Sequence, residues 1–469
     1  MKRQRNRHTL LAGMAAFGLI AAACGSDNNN NAAPTSPSVS ETTATTATTT
    51  PAETTAPAET TAPAETTAPT EATTASTVPK ELAKSPGFDG TTINLGILVP
   101  QSGLPAVIGN PLAAGEDVFW QYYNAEKGGI AGKYPVNLIL EDSLYDTTTT
   151  VQKYNKIKDD IVMVAQVMGT APTLALLPLL DADNIVAAPA SQDALWVREQ
   201  HLFPVIEPYQ IDAINAMDYM MKEGGGQGKA VCTVIQNDVY GEAGLEGVQF
   251  AGEQLGFEVA VTARFKLGDQ DFTAQVTQLK NTGCEIVFVG ALPTEFSKIL
   301  GTAAGLGYTP QWIGQSPSWV DLLLGTDLKD YLTQHVLIAA VGPQWGDPSF
   351  PAAVEFVDRV KTYKPDQTPN YYFSFGYFQA QAEAQLLEKA VAMGSLDRDG
   401  IVAAMNSLDT LKFDGLAGDY KYGPPESRSP SRVTTMFKVN PDAPFGLESL
   451  KYNFTSSAAE AYVFAPANG

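Results

Sequence analysis

The residues with the clearest chemical promise are Gly169, Thr170, Ala171 and Pro172, which follow the apolar run Ile-Val-Met-Val-Ala-Gln-Val-Met at 161–168. That run suits a parallel strand buried on both faces. The turn opens directly into a helix, where Thr170 can cap and Pro172 sits early enough that its missing N–H costs nothing. Strand, glycine turn and helix start together leave unpaired backbone N–H groups at the carboxyl edge of a sheet. Open α/β sheets hold small anionic ligands at such edges. Most turns of this kind hold only water, so the rest of the chain must decide.

Other chemistries have less support. There is no G-x-S-x-G elbow, no HExxH, no P-loop and no GxGxxG after a strand, so an enzyme is not expected. His8, His201 and His335 lie far apart, and Cys232 and Cys284 are not at CxxC spacing, so neither a metal site nor a cofactor is expected. Glu141 and Asp142 are adjacent on a strand and point to opposite faces, which predicts a solvated edge rather than a catalytic pair. A net charge of -21 with no basic stripe argues against nucleic acid and against an anionic membrane surface.

The 469 residues, 44% hydrophobic and 17% charged, allow two or three domains. Residues 1–24 read as a secretion signal, with a basic start, an apolar stretch from Leu10 to Ala23 and then Cys24. Ala21-Ala22-Ala23-Cys24-Gly25 resembles a bacterial lipoprotein processing site, with Cys24 as the acylated residue, although the aliphatic position falls one place early at Ile20. From 25 to 87 the chain is rich in Thr, Pro, Ala and Glu, and the hexamer Thr-Thr-Ala-Pro-Ala-Glu occurs at 54–59 and 60–65. Few bulky apolar residues occur there, which predicts a disordered tether.

Strands are expected at 93–100, 136–140, 161–168 and 185–190, with helices near 111–126, from Thr147, and after Gly169. This alternation implies a parallel sheet with helices on both faces. It restarts with strands at 230–235, 259–265, 285–289 and 311–314. An apolar run at 336–341 precedes helices at 371–393 and 398–408, and short antiparallel strands follow at 418–422 and 433–439. The fold class is therefore α/β, with two doubly wound parallel-sheet lobes.

Several segments now carry a resemblance. Ser102-Gly103, the stretch Asn124 to Gly132, Asp238-Val239-Tyr240-Gly241, Asp271 to Gln275, Gly305 to Tyr308, and Phe413 to Gly418 are similar, in order, to the branched-chain amino-acid-binding proteins of bacterial ABC importers. The resemblance covers about residues 91–440. It implies a type I periplasmic-binding-protein fold, with lobes joined by a three-stranded hinge crossing near 203–209, near 336–345 and before Lys412. The first lobe would comprise 88–207 plus about 343–410, and the second 208–342 plus about 411–450.

Carried over by position, the resemblance puts Thr170 and Ala171 on a ligand carboxylate, with Ala190 and Ser191 as its second contact. Ser102 and Ile108 would lie in the first loop beside the ligand, and Tyr240 would face it from the second lobe. The acid that pairs with a ligand ammonium in the family is missing from Gly314-Gln315-Ser316-Pro317-Ser318-Trp319. Either Glu295 or Asp321 substitutes, or the ligand is not an α-amino acid, since an unpaired buried ammonium is costly. Trp319 is a candidate pocket wall, whereas Tyr371, Tyr372, Phe373, Phe375, Tyr377 and Phe378 are expected to pack the helix between lobes rather than stack on a ligand. Cys232 and Cys284 fall on strands that doubly wound order makes neighbours. A disulfide and two buried free thiols both fit.

The expected function is extracytoplasmic capture of a small amino acid, amide or carboxylate for delivery to ABC permease subunits, with the membrane reached only through a lipid anchor. A sensor or regulator of the same fold is the alternative.

Overall fold

The first sheet is assembled from a β1 (Ile93–Val99), α1 (Ala106–Tyr122), β2 (Val136–Asp142), α2 (Thr147–Ile157), β3 (Met163–Met168), α3 (Thr170–Asp183), β4 (Ala187–Ala190) succession, its strands all parallel, in the order β2-β1-β3-β4. The computed structural model describes residues 81–465, which fall within one compact unit, Ser76–Gly469. The signal segment, Cys24 and most of the Thr/Pro-rich tract lie outside those residues.

A second series follows: α4 (Tyr209–Lys222), β5 (Val231–Gln236), α5 (Val239–Leu255), β6 (Val259–Phe265), α6 (Thr273–Thr282), β7 (Ile286–Gly290), α7 (Pro293–Gly305), β8 (Gln311–Gln315), α8 (Lys329–His335) and β9 (Val336–Ala340). The chain then forms α9 (Pro351–Tyr363), α10 (Tyr371–Met393) and α11 (Arg398–Asn406). The pair β10 (Thr410–Leu411) and β11 (Tyr420–Lys421) is antiparallel, and β12 (Thr434–Val439), β13 (Leu447–Phe454) and α12 (Ser457–Ala461) close the chain. The second sheet runs β13-β12-β9-β8-β7-β5-β6. Strand β12 runs antiparallel to both of its neighbours, β9 and β13, so the second lobe is a mixed sheet rather than a wholly parallel one.

Helix starts follow their caps. Asp146, Asp238, Asn370 and Asp397 each accept a backbone N–H of the first turn, at 2.7, 3.2, 3.1 and 2.7 Å, which satisfies one orphan donor apiece. The first lobe is tied to α10 by close helix packing. A β-carbon at Gly115 would lie 1.9 Å from the Phe373 carbonyl oxygen, and one at Gly376 would lie 2.0 Å from that of Leu112. Only glycine permits this approach, so α10, far along the chain, belongs with α1.

Two boundaries differ from the sequence reading. Order begins before residue 88: Leu82 and Phe88 are buried, Ser85 and Phe88 exchange backbone hydrogen bonds, and the Asn94 N–H reaches the Gly87 carbonyl at 2.8 Å. Apolar Leu82 and Phe88 give this end of the Thr/Pro tract surface to bury. The first helix starts at Ala106 rather than Pro111, which puts Ile108 on a helix and Pro111 inside it.

The passages between sheets are stapled. The buried Arg428 guanidinium donates to the carbonyls of Glu199 and Leu202 at 2.8 and 3.1 Å and of Gly423 at 3.2 Å, with its central carbon 4.9 Å from the Tyr422 ring centre. Arg198 in return donates to the Pro425 and Arg428 carbonyls at 2.6 Å. Charge-assisted bonds of this kind are stronger than neutral ones.

Candidate functional site

A cavity of about 40 Å³ lies between the two sheets. From the first lobe come Ile108 and Leu112 on α1, Tyr145 after β2, Met168, Gly169 and Thr170 at the β3–α3 turn, and Ala190 and Gln192 at the end of β4 and beyond. Tyr371, Tyr372 and Phe375 enter from the start of α10. The facing wall is Tyr209, Tyr240, Leu292, Ser316 and Pro317. Most of these positions follow the carboxyl ends of strands, where an open α/β sheet places its ligand.

The β3–α3 turn is built around Gly169. Its φ of +105° disfavours any other residue, and a β-carbon there would lie only 2.7 Å from the Tyr145 ring. Gly169 itself occupies the cap position, so Thr170 is the first helical residue and does not cap. Its hydroxyl oxygen is buried, belongs to a residue of the cavity lining and has no protein partner. Ile108, Ala190 and Tyr240 also line the cavity, and the Tyr240 hydroxyl donates to the Ala291 carbonyl at 3.3 Å.

Other candidates fall elsewhere. Ala171 lies one residue beyond the lining. Ser102 is exposed and donates to Asp142 at 2.7 Å, because its loop folds back over the end of β2. The Ser191 hydroxyl accepts from the Trp196 indole at 3.2 Å. Trp319 is buried with its indole N–H on the Phe445 carbonyl at 2.9 Å, locked into the second lobe by a loop before β13. Asp321 opens a short helical turn outside the lining, and burial raises its carboxyl. Glu295 sits in an adjoining compartment, where its Oε1 accepts the Gly268 N–H at 3.0 Å. The inner cavity is thus lined by no charged side chain.

Three expectations are corrected. Tyr371, Tyr372 and Phe375 do more than pack the helix between lobes: they line the cavity, because the first turn of α10 points its aromatic face into the gap. Glu141 and Asp142 are not a solvated edge: Glu141 is held by Lys153 at 2.9 Å and by Lys156, while Asp142 accepts from Gln101 and Leu144 as well as Ser102. Cys284 lies just before β7 rather than on it; its Sγ is bonded to that of Cys232 on β5, with the α-carbons 5.8 Å apart. The sequence pattern does not single out Tyr145, Gln192, Tyr209, Leu292 or Ser316 as lining residues. Of these only Tyr209, after Pro208 at a helix start, carries a local signal.

Electrostatics keep the site neutral. Burial pushes the hydroxyls of Tyr209, Tyr240 and Tyr372 well above the ordinary tyrosine range, so all three face the cavity in their protonated form. Polar contacts at the cavity bridge the lobes: Tyr372 donates to the Pro317 carbonyl at 2.6 Å, Ser316 donates to Gln192 at 3.3 Å, and the Tyr209 N–H donates to the Gln192 carbonyl at 2.6 Å. Among the described residues no group of three or more His, Cys, Asp or Glu is placed to hold a metal ion, and no helix is long and apolar enough to cross a membrane.

A family model described as periplasmic binding protein matches residues 92–444. An amino acid binding protein of Pseudomonas aeruginosa is 23% identical over 237 residues, half of this chain and 62% of the relative. The Leu/Ile/Val-binding protein homolog 2 of Brucella abortus is 24% identical over 329 residues, 68% of this chain and 84% of the relative. The chain matches only about three fifths of the length of the first of these relatives. Among solved structures, a fatty acid ABC transporter substrate-binding protein from Thermomonospora curvata superposes with a TM-score of 0.76 at 24% identity, covering 82% of this chain and 98% of that one. A branched chain amino acid ABC transporter structure from Thermus thermophilus with bound valine gives 0.69 at 17%, covering 79% and 98%.

Proposed function

The chain belongs to the periplasmic binding protein family, and on that premise we propose that it captures a small solute between its lobes outside the cytoplasm and passes it to the membrane subunits of an ABC importer. The observation that carries this reading is a cavity walled by both lobes and bridged by the Tyr372–Pro317 and Ser316–Gln192 hydrogen bonds. Two bodies that hold a ligand between them and are linked by chain crossings can hinge, and a ligand that touches both stabilises the closed form. The work is binding and closure, with no bond made or broken.

On this reading the moving bodies are 88–207 with about 343–410, and 208–342 with the remainder. The second runs on past 450 through β13 and α12 to the buried Phe464. Thr170, Ala171 and Ala190 receive the polar end of the ligand; Ile108 and Tyr240 flank it. Relatives named for amino acids and a structural neighbour named for fatty acids make an organic acid, amino acid or amide the class to try first. Cys24 would carry the lipid that holds the protein at the outer face of the membrane, with the Thr/Pro tract as its tether.

The test is thermal unfolding of the purified protein against amino acids, amides and small organic acids, followed by titration calorimetry on each hit. A ligand that binds only the folded form stabilises it by about 2.7 kcal/mol at a hundred times its Kd. Saturable one-to-one binding that weakens about tenfold in Thr170→Val and is lost in Tyr240→Ala is the expected result. Turnover of a bound ester or amide, or no binding across the panel, would overturn the proposal.

A further inference from the structure

We propose that the cleft is built for an elongated monocarboxylic acid, with its carboxylate at the start of α3 and an apolar chain leaving through a second, leucine-lined compartment. The proposal rests on the solute-binding reading above and narrows its ligand. The inner cavity favours an acceptor over a cation. Its free polar atom is the unpartnered, buried Thr170 hydroxyl at the first residue of a fourteen-residue helix. Backbone N–H groups and the positive end of the helix dipole point the same way. Nothing lining that cavity could neutralise an ammonium, whose burial would then be uncompensated.

The second compartment, of about 200 Å³, shares Ile108 and Leu292 with the first. Ile108 comes from α1 and Leu292 from the loop before α7, so opposite lobes supply the two sides of the passage. Beyond them the walls are Pro105, Val107 and Pro293, and the mouth carries Leu104, Leu144 and Leu267, which are 57%, 50% and 43% exposed. Large apolar side chains gathered at a cleft mouth are costly in water and mark a surface that is covered in use. Continuity with the ligand cavity makes a ligand chain the occupant.

The backbone is shaped to put them there. Leu144 and Tyr145 are consecutive non-glycine residues in the left-handed region, at φ 54° and 58°. This conformation costs free energy at each position and persists where surroundings impose it. The Leu144 N–H on Asp142 at 3.0 Å and the Asp146 N–H on the Ser143 carbonyl at 3.0 Å impose it here. The strained pair aims Tyr145 into the inner cavity and Leu144 at the mouth. Glu295, the charged residue of the outer compartment, accepts the Gly268 N–H and thereby holds the turn that presents Leu267. It serves as a positioning residue.

Titration calorimetry with butyrate, hexanoate, octanoate and decanoate below their micellar range, with leucine as a parallel arm, tests this. Affinity should rise about fourfold for each added methylene that enters the channel. The double variant Leu104→Ser/Leu267→Ser should flatten that rise for octanoate and decanoate, while Leu322→Ser, an exposed leucine outside both compartments, should leave the series as in the parent. Affinity independent of chain length, or a series unmoved by the double variant, would overturn the channel. Binding of leucine in place of every acid would overturn it while leaving solute capture standing. Failure of all arms, with no hit among amides either, would overturn the capture reading itself.

Discussion

The Tyr372 hydroxyl, on the first turn of α10, donates to the Pro317 carbonyl in the opposite lobe at 2.6 Å. The bond exists only when the lobes are together, so it contributes to the closed state and not to the fold of either lobe. Tyr372→Phe should therefore raise the Kd of a cleft ligand about three- to tenfold, the worth of one net hydrogen bond. Calorimetry measures the affinity, and the unfolding midpoint of the ligand-free protein should fall by no more than a few degrees. An unchanged Kd would show that closure does not use this contact.

Thr170 presents the free hydroxyl of the cavity. Thr170→Val keeps the shape and removes the donor and acceptor. Ligand-free stability should hold or rise slightly, because an unpartnered polar atom leaves a buried site. Affinity should fall by about tenfold. A loss of stability without a loss of affinity would place the hydroxyl in the fold rather than the site.

The Cys232–Cys284 bond joins β5 to the start of β7 across a sequence separation of 52 residues. Chain-entropy arguments put its contribution at about 4 kcal/mol. The pair Cys232→Ala/Cys284→Ala, or reduction of the parent, should lower the thermal midpoint strongly. Because the bond lies inside one lobe, ligand affinity measured well below that midpoint should stay within about twofold.

Glu116 on α1 and Glu383 on α10 are buried together with Gln166 and Gln379, Gln166 donating to Gln379 at 3.1 Å. Burial raises the Glu116 carboxyl from 4.5 to about 8 and pushes Glu383 well above its ordinary value, with the Glu116 charge adding to the latter. A raised carboxyl binds its proton more tightly in the folded state, so the stability it supports is full below pH 4.5 and declines as pH rises towards about 8. Unfolding free energy should fall across that window by about 2–4 kcal/mol, and Glu116→Gln should remove much of the slope. Denaturant titrations at about pH 5, 6.5 and 8 check this. A parent whose stability rises over that range would contradict it.

Much of this architecture can be read from the chain. Asp146 ahead of a polar-faced helix, Asn370 and Gly394 around Tyr371–Met393, and the nearly all-apolar β3 each announce themselves locally. What stays hidden depends on contacts between distant segments. Tyr371, Tyr372 and Phe375 look like any aromatic helix face until α10 is placed against α1, with its first turn between the lobes. Trp319 looks like a pocket wall until the loop before β13 brings the Phe445 carbonyl to its indole. Pro111 reads as a helix start because proline favours the first turn, and the turn that precedes it here has no comparable signal. Strand β13 escapes the pattern because its edge position leaves its residues only partly buried and blurs the alternation of an amphipathic strand.

The uncharged inner cavity has a kinetic consequence. No local field draws an anion in, while the chain as a whole carries a net charge of -21. An organic acid approaching this protein therefore meets long-range repulsion and no attraction until it reaches the α3 terminus. Screening shortens that repulsion from about 30 Å at 0.01 M salt to about 8 Å at 0.15 M, so stopped-flow association of an anionic ligand should quicken with added salt while its dissociation changes little. Slowing with salt, the mark of electrostatic steering, would mean that the ligand is a cation.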